Sequence, residues 1–534
     1  MYFAYVYIAH YDIIWYNMFQ HYKSKSIGGF PLMCTKTAKT TVLCLLAALL
    51  TCGTFASCGN ASTDTDSTET VPVSDTQTET EAETTVADTV TEKYGGHDYG
   101  GYEYRILSYS PGNFFYFKIG PEANEIYYES ETGDSYSDAV YKRNLLTEDL
   151  LHVKITPIWG GNTGEISSLV TKQVQAGDDS CDLVLQSLSY NITLGTEKKV
   201  HNLKALSGID LSADWWDQNI VTNFTYKNEL LYTVAGHYNV YDDYAVPVIF
   251  CNKHMIEQYG QDDPTTLVKE GKWTLENMMK IAAAGTVDLN GDGKMDESDS
   301  FGFTDNTGAL YHLMCGSGAL STRLDADGKP VITCKEEAYL NAAEKIYDTV
   351  ICSGSIWQGL NATCRVMMKE DRNMLYYELL GGINEFRDME SDFTLLPLPK
   401  GSEEQENYSA LINPIWCTAM AIPVTVADPE RSALVLDVMS GYSTDTVNKV
   451  LYELILGSKL IRDPETLDML DYVLASKVYD WAEGYSWFND LNSMFGAQTS
   501  AKSFTMSSMV EKKFTAAQTK LDAMLAMMDE QLAE

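Results

Sequence analysis

The sequence predicts an α/β fold, and three observations carry that expectation. Short apolar runs bounded by turn residues read as strands, while longer stretches with apolar residues every three or four positions read as helices. The two patterns alternate along most of the 534-residue chain, the order of an α/β sheet protein. Helix-start chemistry agrees. Asp428-Pro429-Glu430 supplies an N-cap, a first-turn proline and an acid at the positive helix end, and Asp463-Pro464-Glu465 repeats it.

In order, strands are expected at Tyr104 to Tyr109, Val153 to Trp159, Asp182 to Gln186, Ala245 to Asn252, Phe393 to Pro399 and Thr418 to Pro423. Helices are expected at Asp138 to Leu151, Ile166 to Ala176, Thr274 to Ala284, Ala338 to Ile351 and Arg431 to Tyr442. Beyond Asp463 only helices are expected, ending in a long amphipathic stretch from Phe504 to Leu532. No repeat of fixed period is visible.

Ahead of this body, Lys36 and Lys39 precede a continuous apolar run from Val42 to Leu50, and Ala56-Ser57 lead into Cys58. That is the make-up of a secretory signal. Nine helical residues span roughly 14 Å against a hydrocarbon core of about 30 Å, so the run targets rather than spans. Phe55-Ala56-Ser57-Cys58 resembles the cleavage site of bacterial lipoproteins, although Phe55 stands where Leu is usual. The resemblance implies lipidation of Cys58 and removal of residues 33 to 57. An ordinary cleavable signal is the other reading. Residues 1 to 32, rich in Tyr and upstream of a complete signal with its own Met33, are expected to reflect a start codon called too early, a genuine extension with an apolar face being the other reading. From residue 58 to 92 the chain is Thr-, Ser-, Asp- and Glu-rich without Lys or Arg before Lys93. Such a segment buries too little surface to offset chain entropy, so a disordered, self-repelling tether is expected. The folded body then covers residues 93 to 534.

Composition bounds the rest. Hydrophobic content of 45% with 11% aromatics supports large cores, and the length after the signal is enough for two domains. A formal net charge of -37 argues against a nucleic-acid partner, because phosphate backbones are bound by surplus Lys and Arg. Seven cysteines lie beyond Cys58: Cys181, Cys251, Cys315, Cys334, Cys352, Cys364 and Cys417. Their odd number, irregular spacing and lack of CxxC pairs give little support for a disulfide framework or a zinc site. They read as small buried hydrophobes.

The most specific local motif runs from Asp288 to Asp299, DLNGDGKMDESD. Asp288, Asn290 and Asp292 occupy loop positions 1, 3 and 5, Gly293 position 6, Lys294 position 7, Asp296 position 9 and Asp299 position 12. This is the oxygen-ligand spacing of an EF-hand calcium loop, with the Lys294 carbonyl as one ligand. Asp299 stands where Glu is standard, and its shorter arm predicts weaker binding. Calcium here would be a structural clip. A merely polar turn is the alternative.

These features fall in a familiar order. Gly133-Asp134 and Asp138 to Asn144 are followed by Tyr244 to Lys253 (YAVPVIFCNK), then Trp273-Thr274, the DxNxDG loop with Phe301-Gly302-Phe303, Leu396 to Lys400 (LPLPK), and Ala421-Ile422-Pro423 with Asp428 to Arg431. Behind a lipoprotein signal and an acidic tether, the body resembles the extracellular solute-binding proteins of ABC importers, particularly the sugar-binding (family 1) class. Lys369 to Arg372 departs from the family pattern of an aromatic and a Gly. The resemblance implies a two-lobed, periplasmic-binding-protein-like (type II) fold with hinge crossovers and extra C-terminal helices. The first lobe would hold about residues 94 to 240 and 400 to 450, the second about 245 to 398 and 455 to 534. It also implies capture of a small-molecule solute by closure of a hinge, delivery to ABC permease subunits, a position on the extracellular face of the cell membrane through the lipid on Cys58, and a monomer.

A sugar cleft needs aromatic rings for C-H faces and planar polar groups for hydroxyls. The chain holds 34 Tyr and 9 Trp. Candidate ligand residues are Gln186 after a strand, Tyr241 and Asp242 beside the first crossing, Trp357, Glu385 and Arg387, Trp416 ahead of a strand, and Trp487. A peptide ligand is the alternative. A surface glycoside hydrolase is a further one, but 75 acids make carboxylate pairs uninformative, and GxSxG, HExxH and P-loop motifs are absent. The expectation is a receptor, not an enzyme.

Overall fold

The computed structural model describes residues 85–112, 124–305, 308–456, 464–485, 494, 497 and 503–534. The expected signal, Cys58, most of the tether and Trp487 lie outside the described residues.

Thirteen strands occur in the described residues: β1 (Tyr102–Ser108), β2 (Val153–Trp159), β3 (Leu183–Ser187), β4 (Pro247–Asn252), β5 (Phe301–Asp305), β6 (Thr322–Leu324), β7 (Pro330–Ile332), β8 (Ile356–Gln358), β9 (Asn373–Leu379), β10 (Phe393–Leu396), β11 (Ala410–Leu411), β12 (Thr418–Ala421) and β13 (Lys477–Val478). A four-stranded sheet has the order β12-β3-β1-β2, and a five-stranded sheet the order β10-β4-β9-β5-β8. In the first, β1 pairs in parallel with both β2 and β3 while β12 runs antiparallel to β3. In the second, β5 is parallel to β8 and β9, and β4 is antiparallel to β9 and β10. The chain therefore crosses from the first sheet to the second between β3 and β4 and returns between β10 and β12. Parallel strands need helical crossovers, and the buried runs LVLQS of β3 and NMLYYEL of β9 are covered on both faces.

Local chemistry sets the helix ends. Asp134 accepts from the Ser137 N–H to start Ser135–Leu151, Asn162 and Glu165 form a reciprocal capping box for Thr163–Ala176, and Asp428 with Pro429 starts Pro429–Ser443. A further box at Thr85 and Asp88 starts Val86–Tyr94. This corrects the expected tether, whose last residues from 85 are ordered rather than loose. Val90 and Tyr94 are buried, the Ala87 N–H donates to Asp445 at 2.9 Å, and the Tyr94 hydroxyl donates to Asp437. Two apolar anchors and a capping box suffice to override the acidic composition.

After residue 463 the expectation of helices alone also fails. Pro464–Ala475 packs on β10, but β13 then pairs in parallel with β11, Ala410 opposite Lys477 and Leu411 opposite Val478. The final helix, Met506–Ala533, lies along both parts of the body. Its first half meets Lys335 through Glu511 (2.6 Å), and its last turns meet Tyr226 and Lys227 through Asp529, Tyr232 through Gln531 (2.9 Å) and Lys198 through Glu534 (2.6 Å).

All seven cysteines beyond Cys58 are free thiols, and only Cys352 is exposed. His312, on Ala309–Gly316, is buried beside the Tyr377 hydroxyl of β9. Burial pushes its imidazole down from 6.5 to about 4. The neutral ring is the folded form, so its contribution to stability is complete above about pH 6.5 and is lost as pH falls toward about 4. Urea unfolding of His312→Gln compared with the parent should show the acid-side loss between pH 7 and 4 reduced by about 3 kcal/mol.

Candidate functional site

Ligands of open α/β sheets bind outside the carboxyl ends of the strands. At these ends of the first sheet, Trp159 on β2 is 38% exposed. Trp416 is half-buried in the loop that abuts the end of β3, where Ser187 donates to the Ile415 carbonyl at 2.7 Å. Gln186 is turned away from this edge. Its amide donates to Asn191 at 2.9 Å and accepts from Ser167 at 3.1 Å.

In the second sheet the ends of β5, β8 and β9 carry Asp305, Gln358 and Glu378. Gln358 donates to Asp305 at 2.8 Å. The buried Glu378 accepts from Arg365 at 2.9 Å and from the Tyr376 hydroxyl at 2.6 Å, and burial raises its carboxyl. Glu385 is exposed and reaches Arg365 at 3.5 Å. Trp357 lies 6.3 Å from the Phe301 ring, half-buried, and Arg387 is exposed. The sequence-selected residues thus divide between both sheets.

Tyr241 and Asp242 belong to a short helix, Tyr241–Tyr244, immediately before β4. Here the chain crosses, and the charge is densest. Lys477 of β13, whose side chain is 12% exposed, reaches Asp217 at 3.0 Å, Asp243 at 2.9 Å and Asp242 at 3.4 Å. Asp217 also accepts from the Tyr479 hydroxyl and the Asn219 N–H, each at 2.9 Å. Burial works to raise this carboxyl, but Lys477 and these two donors outweigh it and hold Asp217 below its ordinary range. Asp242 has only the longer contact with Lys477. Its Oδ1 is shielded from solvent and takes no hydrogen bond, and burial pushes the group well above the ordinary carboxylate range. Lys477 itself is raised, because its three carboxylate neighbours outweigh burial.

A pocket of about 210 Å³ opens on this cluster, walled on its other sides by Trp216, His237 and Tyr452. Trp216 is fixed by donation from its Nε1 to Asp437 at 3.0 Å. Behind the pocket, Glu125 accepts from the Val240 N–H at 2.7 Å, Thr418 at 2.9 Å and Tyr109 at 2.9 Å, and burial raises it too. Tyr241 packs edge-on to Tyr109, with centroids 6.2 Å apart.

Of these residues, sequence reasoning selected Tyr241 and Asp242 and missed Lys477, Asp217 and Glu125. Lys477 follows Ser476 in a stretch read as helix, and nothing local marks it. Asp217 did carry a signal, since it caps Gln218–Asn223.

In the DxNxDG loop, Asp288 accepts from the N–H groups of Gly291 (2.7 Å) and Gly293 (2.9 Å), Asn290 from Asp292, Asp292 from Lys294, and Asp299 from Leu289 and Asp296. Gly293, at loop position 6, has φ of 77°, the left-handed turn the loop requires. The oxygen donors therefore curl inward on their own backbone. Among the described residues, however, no three Asp, Glu, His or Cys side chains gather closely enough to hold an ion. A calcium set here depends on Asn290 and the Lys294 carbonyl as well.

Replacing Lys477 with Met leaves the buried Asp217 and Asp242 and the half-buried Asp243 without their cation, and we expect a loss of about 3–5 kcal/mol at pH 7 by denaturant unfolding. The deficit should shrink as pH falls toward 4, because carboxylates stripped of Lys477 become harder to ionise in the folded state and lose their penalty once protonated.

No family model and no curated protein matches the sequence. Among solved structures the chain is similar to a cyclo/maltodextrin-binding protein complexed with maltotetraose, at 13% identity over 78% of this chain and 97% of that one, with a TM-score of 0.53. It is equally similar to an extracellular solute-binding protein from Staphylococcus aureus in complex with maltose, at 10% identity over 79% and 98% of the two chains and the same TM-score. Identities this low speak to architecture alone, and on that level the chain has the two-lobed solute-binding-protein fold.

Proposed function

We propose that the chain is an extracellular receptor that captures a carbohydrate between its lobes and hands it to an ABC permease, held at the membrane by lipid on Cys58. The observation that carries this reading is the crossing-point pocket, where aromatic rings of Trp216 and Tyr452 stand beside carboxylates at the junction of the two sheets. Rings that stack on sugar faces and carboxylates that accept hydroxyls are what a saccharide site requires. The two structural neighbours bind maltotetraose and maltose, which supports the same class of ligand. The reading is of a binder, without turnover.

Isothermal titration of the full chain with a panel of mono- and oligosaccharides and short peptides tests it. Binding of a saccharide, with the sugar recovered intact, is the expected outcome. Binding of peptides alone transfers the chain to the peptide receptors, and cleavage of an oligosaccharide overturns the receptor reading.

We also propose that the loop from Asp288 to Asp299 takes one calcium ion as a clip between Leu275–Ala284 and β5. The inward-turned oxygen donors and the left-handed Gly293 support it. Calcium at a hundredfold excess over its dissociation constant should stabilise the fold by about 2.7 kcal/mol in a thermal melt. EDTA should reverse the shift, and Asp288→Ala combined with Asp292→Ala should abolish it. An unchanged melting temperature with calcium would leave a polar turn.

A further inference from the structure

We propose that the crossing-point pocket is built for a ligand carrying a primary ammonium, and that the preferred solute is an amino sugar of monosaccharide size. This rests on the receptor reading above and narrows it.

The charge inventory of the pocket is the starting point. Asp217, Asp242 and Asp243 converge on one cation, Lys477. Fully ionised, they exceed the lysine's charge by two; burial opposes that state at Asp242, so a second cation is what would hold it ionised. No other wall group supplies the difference. His237 donates to or accepts from Thr444 at 2.8 Å and is kept neutral at pH 7 by burial, which lowers its imidazole. Glu125, just behind, adds an acid and not a base.

The second observation is independent of the count. Asp242 is 2% exposed and lines the pocket, yet its Oδ1 has no hydrogen-bond partner. Buried polar atoms are nearly always satisfied, so an orphan on a pocket wall marks a place where a ligand donates. Lys477 does not meet that demand, because it is held on β13 and its ammonium is spent on Asp217 and Asp243, with Asp242 the longest of its three contacts. A second ammonium brings three donors and a positive charge in one compact group. Water or a neutral hydroxyl supplies donors but leaves the excess charge in a low-dielectric site.

Size and shape complete the description. About 210 Å³ is below the roughly 300–1,000 Å³ of drug-sized pockets and suits one pyranose ring. Trp216 cannot swing away from its wall, because its indole N–H is fixed on Asp437. Trp216 is itself only 2% exposed and backs the wall, so the partly exposed Tyr452 is the ring a sugar face can meet, with the carboxylates placed for the ammonium.

The test is calorimetric titration of the full chain with glucosamine, N-acetylglucosamine, glucose and ethanolamine, at pH 7 and low ionic strength. The expected result is that glucosamine binds at least tenfold more tightly than glucose or N-acetylglucosamine, which keep the ring but lack the charge. Asp242→Asn should weaken glucosamine at least tenfold, and by a larger factor than it weakens glucose. Asp243→Asn provides a second carboxylate variant should the first fail to fold, as judged by circular dichroism, and the same loss is expected. Glucose binding as well as glucosamine overturns the ammonium inference while leaving the receptor reading in place. Ethanolamine binding with no response to any sugar supports the ammonium site and overturns the carbohydrate reading. Silence toward all amines overturns the inference outright.

Discussion

The ion cluster around Lys477 is the constraint on which the rest of this structure depends. It joins segments that are far apart in sequence: the edge of the first lobe through Asp217, the first crossing through Asp242 and Asp243, and β13, which is itself paired with β11 on the returning crossing. A charge taken out of water costs several kcal/mol unless it is paired and hydrogen-bonded, so none of these segments is free to move separately. Burial gives the cluster its strength and its intolerance of a missing partner. Asp217 is satisfied by Tyr479 and Asn219 as well as by Lys477, whereas Asp242 relies on a single long contact. One and the same cation thus leaves one neighbour settled and the other short of donors.

The fold was legible wherever the signal was local. Val153 to Trp159 is β2 residue for residue, and the first three strands of the chain and β12 lie within two residues of their expected bounds. The capped helices lie within three residues of their expected bounds, because an Asp or Asn cap and a first-turn proline act within one turn of the chain. The strands β5, β8 and β9 were not recognised. Covered on both faces, NMLYYEL of β9 shows no alternation, and it follows the charged Lys369 to Arg372. At three residues β8 is shorter than any periodicity, and β13 is shorter still. Two-residue strands exist because a partner is there, and the partner of β13 lies more than sixty residues away.

The site was less legible for the same reason. Asp242 and Tyr241 were found because a crossing segment can be recognised by its neighbours YAVPVIFCNK. Their cation was not, since Asp242 and Lys477 lie 235 positions apart and nothing between them predicts the contact. Gln186 shows a different limit. Successive strand residues face opposite ways, so a position at a strand end is assigned to the cleft or to the core by a single step of register. Here the step falls inward, onto Asn191 and Ser167.

The final helix raises the question of how such a body opens. Its contacts to the two ends of the molecule include ion pairs, Lys335 with Glu511 on one side and Lys227 with Asp529 and Lys198 with Glu534 on the other, beside hydrogen bonds to Tyr226 and Tyr232 and a buried apolar row from Met506 to Met528. Exposed pairs of this kind contribute roughly 0–1 kcal/mol each. Lys477, by contrast, sits in a network whose disruption costs several kcal/mol. Opening of the body therefore either leaves the Lys477 cluster intact or costs several kcal/mol, whereas the exposed pairs along the helix exchange at little cost.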